Sequence, residues 1–456
     1  MGRRTNPPCG PTAGVCFRTL KFPAMLTYGL MMRPLICLLF LIVAACADAA
    51  TENPLAVAAR DYVRMALEIG THEKDYVDAY YGPPEWKTEA EAQPRNLPEL
   101  KAEAERIRAG LSTIDTGALQ SVERRRHAWL IAHVASAQAR LEMIDGVRFP
   151  FREEAERLFG LRPDLRPLES YDPVLARIET LVPGEGPLSE RIEAFRNRYV
   201  IPKDRLTAVM DAAIGECRQR TRGHLALPGN ERFTMELVNG EPWSAYNWYK
   251  GDNLSLIQIN TDLPIAIDRA IGLGCHEGYP GHHVQGMNYE TQYRERGWVE
   301  FSIAPLYAPA SPLNEGGADF GVDLAFPRDE RLAFEMATLY PLAGLDPATA
   351  PALQALRDAM RDLSGARLTI SAMYLDGEID RERALELTQR YQLMSRERAE
   401  QSLKFTERYR AYVINYSAGE DIIRAYVERS GDSAEAQWAA YERILSELML
   451  PSDLVK

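Results

Sequence analysis

The chain has 456 residues, enough for one large core or for two to three smaller ones. With 46% hydrophobic and 26% charged residues it has the make-up of a folded globular protein, which excludes a disordered chain. From Cys46 onward it carries 48 basic against 65 acidic residues, net −17, and such a surface repels phosphate backbones and anionic headgroups, so no nucleic-acid partner is expected.

The N-terminus reads as a targeting segment. Met31-Met32-Arg33 begins a short basic region, and the apolar run 35–45 is too short to span a bilayer but suits a signal-peptide core. The run ends Val43-Ala44-Ala45-Cys46, which resembles the lipobox of bacterial lipoproteins, where Cys46 would carry the lipid. Ordinary cleavage around Ala45-Cys46-Ala47 is the alternative. Residues 1–24 read as an upstream extension, 25–45 as the signal peptide and 46–456 as one helical hydrolase domain. The expected protein is exported, sits in the cell envelope facing the periplasm, and touches the membrane only through its lipid anchor. Oligomeric state is not legible. Of six cysteines, Cys46, Cys217 and Cys275 remain after processing. Cys217 and Cys275 could pair in an oxidising compartment, or Cys275 could be a small buried thiol.

From about residue 54 to 225, apolar residues recur at three-to-four spacing among Glu and Arg, predicting helices over 55–67, 99–111, 117–141 and 190–198. Breakers separate them, the strongest being the Pro/Gly stretch 182–187, a loop within the helical domain. The texture then changes. Segments 233–238 and 254–260 are short and β-branched or alternating, with Asn-Gly and Gly-Asp-Asn turns beside them, predicting a small sheet. Thr261 or Asp262 is expected to cap a helix with Pro264 in its first turn, and that helix carries His276. Helices return from 331 to 450.

His276-Glu277-Gly278-Tyr279-Pro280-Gly281-His282-His283 places three of the chain's seven histidines within eight residues. Imidazole is the commonest neutral zinc ligand, and a carboxylate beside it suits a general base for hydrolysis. A plain zinc-hydrolase helix has its histidines at i and i+4, whereas here the second is at i+6 or i+7. On an unbroken helix i+7 lies about 10.5 Å further along the axis, too far for one ion. Pro280 lacks an N–H and Gly281 tolerates unusual dihedrals, so a kink or bulge is expected. Looping out two residues restores the geometry for His282, three for His283. His282 is preferred, and both stay candidates. By contrast His72-Glu73, with no second histidine nearby, reads as a solvated pair.

Downstream, Ser311-Pro312-Leu313-Asn314-Glu315-Gly316-Gly317-Ala318-Asp319 reads as a helix capped by Ser311. Glu315 is the expected third ligand and Asp319, at i+4 on the same face, a carboxylate that fixes a histidine N–H. Gly316 and Gly317 each cost about 1 kcal/mol of helix stability against Ala, which suits a place where another backbone comes close. Glu290 and Glu300 are weaker substitutes for Glu315.

His-Glu-x-x-Pro-Gly-His-His, followed some thirty residues later by Glu-Gly, resembles the bacterial domain of unknown function 885, grouped with zincin-like metallopeptidases. The similarity is clearest over about 233–323 and extends weakly to Tyr416-Ser417-Ala418-Gly419. It implies zinc on His276, on one of His282 and His283, and on Glu315, with Glu277 as base. Asn314-Glu315-x-x-x-Asp319 is also similar to the thermolysin type of gluzincin. Gly317 stands where the family often has tryptophan, and the histidine spacing is not the gluzincin one.

The expected fold is mainly α, zincin-like, with a small β-sheet next to the active-site helix. The expected function is zinc-dependent hydrolysis of a peptide bond, with Glu277 as base and a hydroxyl from Tyr409, Tyr412 or Tyr416, Tyr416 foremost, stabilising the oxyanion. The rivals are a zinc hydrolase acting on a non-peptide or cell-wall amide, and a non-catalytic metal-binding lipoprotein.

Overall fold

The first helix starts where the sequence supplies a cap. Asn53 accepts a hydrogen bond from the Leu55 N–H at 2.9 Å, and Pro54 occupies a position whose own N–H would go unused. From there Pro54–His72 (α1) buries Leu55, Tyr62, Val63 and Ile69 along one face. Leu97–Ser112 (α2) opens with a reciprocal cap, Glu99 N–H to Asn96 at 3.0 Å and Asn96 N–H to Glu99 at 2.9 Å. The computed structural model describes residues 52–241 and 243–455, which form one compact unit. The upstream extension, the signal segment and Cys46 lie outside the described residues.

Further helices that matter below are Ser121–Ile144 (α3), Lys203–Arg222 (α4), Asp268–Glu277 (α5), His282–Arg296 (α6), Ser311–Ala325 (α7), Ala366–Leu375 (α8), Ile414–Arg429 (α9) and Ala434–Ser446 (α10). The protein is therefore mainly α. Val77–Tyr80 (β1) pairs antiparallel with Ile303–Pro305 (β5), and Arg232–Val238 (β2), Ala245–Gly251 (β3) and Leu254–Asn260 (β4) form a three-stranded sheet ordered β2-β4-β3. β2 runs parallel to β4, with Thr234 opposite Leu256, and β3 runs antiparallel, with Asn247 opposite Ile257. Asp252 and Asn253, with φ of 53° and 55°, turn β3 into β4. Short polar residues tolerate that left-handed region, which matches the twist of a hairpin. The sheet lies against α5, as expected: the Asn247 side-chain amide donates to the Glu277 carbonyl.

Two large apolar cores share Ile422 as a neighbour. One lies under α1 to α3 and includes Tyr62, Leu130, Phe159, Tyr412 and Val413. The other packs α4, β4, α5, α7 and α10 through Val209, Ile257, Ile271, Phe320 and Tyr441. A smaller third cluster gathers around Ile178, Leu356 and Leu385.

Two local expectations fail. The helix bearing His276 starts at Asp268, and Asp262 instead accepts the Gly240 N–H at 2.8 Å, closing the loop after β2. Ser311 is the first residue of its helix rather than its cap, and its hydroxyl donates to the Leu306 carbonyl at 2.7 Å. In both cases the short polar side chain satisfies a neighbouring loop instead of a helix end.

Candidate metal centre

The break between α5 and α6 brings two histidines together. The Gly278 N–H makes the last bond of α5 to the Gly274 carbonyl, and the Gly281 N–H reaches back to the Cys275 carbonyl at 3.1 Å. A Cβ on Gly281 would stand 1.9 Å from the His276 carbonyl oxygen, so only glycine fits this return of the chain. The Tyr279-Pro280 bond within it is cis. His276 near the end of α5 and His282 at the start of α6 then face each other, ring centroids 4.7 Å apart and planes perpendicular. Cys217 on α4 and Cys275 are joined in a disulfide, so Cys275 is not the free thiol entertained from the sequence.

The third side comes from α7. His276 Nε2 lies 3.5 Å and His282 Nε2 3.8 Å from the carboxylate oxygens of Glu315. Ligand atoms of His276, His282 and Glu315 all lie within 4.8 Å of one another. One turn on, Asp319 accepts a hydrogen bond from His276 Nδ1 at 2.8 Å, which leaves Nε2 of that ring turned to the cluster. His282 Nδ1 sits 3.3 Å from the side-chain oxygen of Gln285, itself bonded to Asn314. Tyr412 donates its hydroxyl to Glu315 at 2.8 Å. Two imidazole nitrogens and one carboxylate, each oriented from behind, are the donor set of an open zinc site, so the residues present fit that ion.

α7 comes this close to α9 because both helices carry glycine at the crossing. A Cβ on Gly316 would meet the Gly419 carbonyl carbon at 2.2 Å, and one on Gly419 the Pro312 carbonyl oxygen at 2.5 Å. Gly317 differs: its added Cβ would find only the Ile423 side chain at 3.6 Å, an ordinary contact. The close approach expected of both glycines belongs to Gly316 alone.

Electrostatics reinforce the cluster. Burial alone would lower the His276 pKa, but Asp319 and Glu315 overcome it and hold the ring well above its usual value. His282 is raised as well, with Glu315 outweighing burial. Glu315 is held far below the usual carboxylate range, because His282 and His276 outweigh its burial. Glu277 is 5% exposed; burial lifts its pKa, Glu315 and Asp319 add to the rise, and the two histidines oppose it. Its carboxyl makes no hydrogen bond among the described residues, whereas its neighbours are tied down.

The other sequence candidates fall elsewhere. His283 is a correction: it is fully buried, bonded through Nδ1 to Ser255 at 2.7 Å, with Nε2 directed at Glu231 3.5 Å away. The single-residue step from His282 turns it about 100° around α6, towards Ser255 of β4. Glu290 clamps the β3–β4 turn, accepting the Asp252 N–H at 2.9 Å and bonding Arg294 at 2.6 Å. Glu300 is consumed by a buried two-pronged pair with Arg126 at 2.5 and 2.9 Å. Glu73 is not solvated but pairs with Arg140. Tyr416 lies beside the cluster, its ring 6.0 Å from that of Tyr412; burial and then Glu315 push its hydroxyl pKa well up, so it keeps its proton. Asp78 on β1 faces the same region and is not apparent from the sequence. It bonds the Tyr246 hydroxyl, and burial with Glu315 lifts it to about 7. No local pattern marks Asp78, which reaches the site only through tertiary packing; Gln285 follows His282 by three residues on α6, and Tyr412, one of the three tyrosines offered as oxyanion donors, instead bonds Glu315.

No family model matches the chain and no curated protein matches it, so the likeness to the domain of unknown function 885 remains one of motif. Among solved structures, a lipoprotein candidate from Colwellia psychrerythraea is 14% identical over 78% of this chain and 65% of that one, with a TM-score of 0.48. The match thus spans just under two thirds of the Colwellia protein's length. A lipoprotein candidate of unknown function from Shewanella oneidensis is 12% identical over 81% of this chain and 75% of that one, TM-score 0.38. An M32 carboxypeptidase from Deinococcus radiodurans R1 is 12% identical over 88% of this chain and 93% of that one, TM-score 0.40. At these identities and scores none of the three says what this chain does.

Proposed function

We propose that this protein is a zinc-dependent hydrolase that cleaves peptide bonds. One observation carries the proposal: the nitrogens of His276 and His282 and the carboxylate of Glu315 converge within 4.8 Å of one another, with the otherwise unbonded Glu277 carboxyl buried alongside. His276, His282 and Glu315 would hold zinc, which would supply an acidified water and polarise a carbonyl. Glu277 accepts the proton of the attacking water and passes it to the leaving nitrogen. Asp319 and Gln285 keep the two rings turned the right way, and Tyr412 holds Glu315. Tyr416, whose proton is retained, donates to the developing oxyanion. A peptide rather than a compact amide is favoured by β3. It pairs only with β4 among the described residues, so its other edge can receive an extended chain beside α5.

The decisive experiment compares the full chain with Glu277→Gln on a mixture of unselective peptides, with and without chelator. Wild type should lose turnover on chelation and regain it with zinc. Glu277→Gln should keep stoichiometric zinc and lose about 10²- to 10⁴-fold in turnover. Unchanged turnover in a folded, zinc-loaded variant refutes the mechanism.

A further inference from the structure

Beyond Tyr416 stands an arginine that nothing in the described protein neutralises. Arg367, the second residue of α8, is half-buried. Its guanidinium carbon lies 6.0 Å from the centroid of the Tyr416 ring and 5.3 Å from that of Phe405. Its Nε is sealed from solvent without a hydrogen-bond partner. No carboxylate among the described residues comes within ion-pairing distance. Three arginines buried more deeply are paired, Arg126 with Glu300, Arg140 with Glu73 and Arg331 with Glu335, whereas Arg152 shares the unpartnered Nε of Arg367 but has no aromatic rings of the site beside it. In a chain with 65 acids against 53 bases, counter-ions are not scarce. Keeping that Nε from water without a partner is costly, and an anion bound to the guanidinium would offset the cost. Burial also lowers the pKa of its guanidinium, and no carboxylate opposes that shift.

Its position relates it to the chemistry. Tyr412 bonds Glu315, the ring of Tyr416 packs 6.0 Å from that of Tyr412, and Arg367 lies on Tyr416. Two aromatic rings therefore separate the carboxylate of the metal cluster from the guanidinium. Substrate residues advance about 3.5 Å each when extended, so a group near the scissile bond can reach it. The guanidinium fork suits carboxylate and phosphate alike. One arginine balances one negative charge, however, and the cluster behind it is acidic, with Glu277, Glu315 and Asp319. Even with a zinc dication among these three carboxylates the cluster stays net negative, so a single carboxylate suits the setting better than a multiply charged phosphate.

We infer that Arg367 receives a carboxylate of the substrate, which makes the preferred substrates peptides with a carboxylate close to the scissile bond. This names the substrate class of the hydrolase proposed above and rests on that proposal for the bond cleaved. The carboxylate can be the chain's own C-terminus or an acidic side chain, and the experiment separates the two.

The probes are an N-acetylated hexapeptide with a central glutamine as the free acid, its C-terminal amide, and the same amide with glutamate replacing that glutamine. Each is tested with the zinc-loaded full chain, with Arg367→Gln and with Arg367→Lys, for kcat/KM and, in the Glu277→Gln background, for binding. Wild type should prefer a carboxylate-bearing probe over the neutral amide by about tenfold or more. Preference for the free acid assigns the C-terminus, and preference for the glutamate amide assigns the side chain. Arg367→Gln should bring the preferred probe down to the neutral one and leave the neutral one unchanged, with Arg367→Lys restoring part of the difference. Equal use of all three probes by wild type overturns the inference without any variant. An equal loss on all three in a folded Arg367→Gln protein overturns it too. Carboxylate-selective binding that Arg367→Gln abolishes, with no hydrolysis by zinc-loaded wild type, sustains Arg367 as the anchor and rejects the hydrolase.

Discussion

At the residue scale, the proposed centre divides labour between groups that hold an ion and groups that hold those groups. His276→Ala or Glu315→Ala leaves two protein donors where an open zinc site uses three. Each should lower bound zinc well below one per chain and abolish hydrolysis, as elemental analysis and a peptide assay would report. Stoichiometric zinc in Glu315→Ala would reject Glu315 as ligand, and neither Glu290 nor Glu300 could replace it, since both are engaged in other bonds. The histidines and glutamates were legible because this chemistry demands those residue types close together, and Pro280-Gly281 announces the break in the helix. The sequence preferred His282 to His283 as the one facing the cluster but left both as candidates. The choice depends on how many residues leave the helix, and hence on the fit of Gly281 under the His276 carbonyl. Tyr412 was among three tyrosines offered by the sequence, but its bond to Glu315 depends on packing, and Arg367, an arginine on an amphipathic helix, carries no mark of what it will face.

At the element scale, the crossing of α7 and α9 sets how near the tyrosines come to Glu315. Gly316→Ala should push the helices apart, because the added methyl would meet the Gly419 backbone rather than a movable side chain. Overpacking of this kind costs about 1–3 kcal/mol, and the variant should melt lower and lose activity together. Gly317→Ala has room and should melt no lower than wild type. Equal behaviour of the two in thermal unfolding would refute the crossing described here. The helices were readable from their periodicity, and β2 and β4 from alternation and β-branching. β3 was not, because Ala245-Tyr246-Asn247-Trp248-Tyr249 has polar and aromatic residues on both faces: Asn247 and Tyr249 turn to α5 and α6, while Trp248 stays 38% exposed. Strand β1 and its partner β5, four and three residues long, are too short for any periodicity to show.

At the scale of the whole molecule, among the described residues no helix is long and apolar enough to cross a membrane. The lipobox-like Val43-Ala44-Ala45-Cys46 is the candidate anchor that the sequence offers. Cys46→Ser removes the thioether to the lipid, so the wild type should sediment with membranes on fractionation of a producing bacterium and the variant should not. Equal distribution of both would rule out Cys46 as the anchor. The disulfide between Cys217 and Cys275 spans 58 residues, and the entire three-stranded sheet lies between its ends. Closing a loop of that size removes conformational freedom worth about 4 kcal/mol from the denatured chain. The oxidised polypeptide is therefore a lasso even when unfolded. Its noose holds the strands on a short leash to the cysteine that precedes His276, so refolding need not search for the neighbourhood in which sheet and histidine meet.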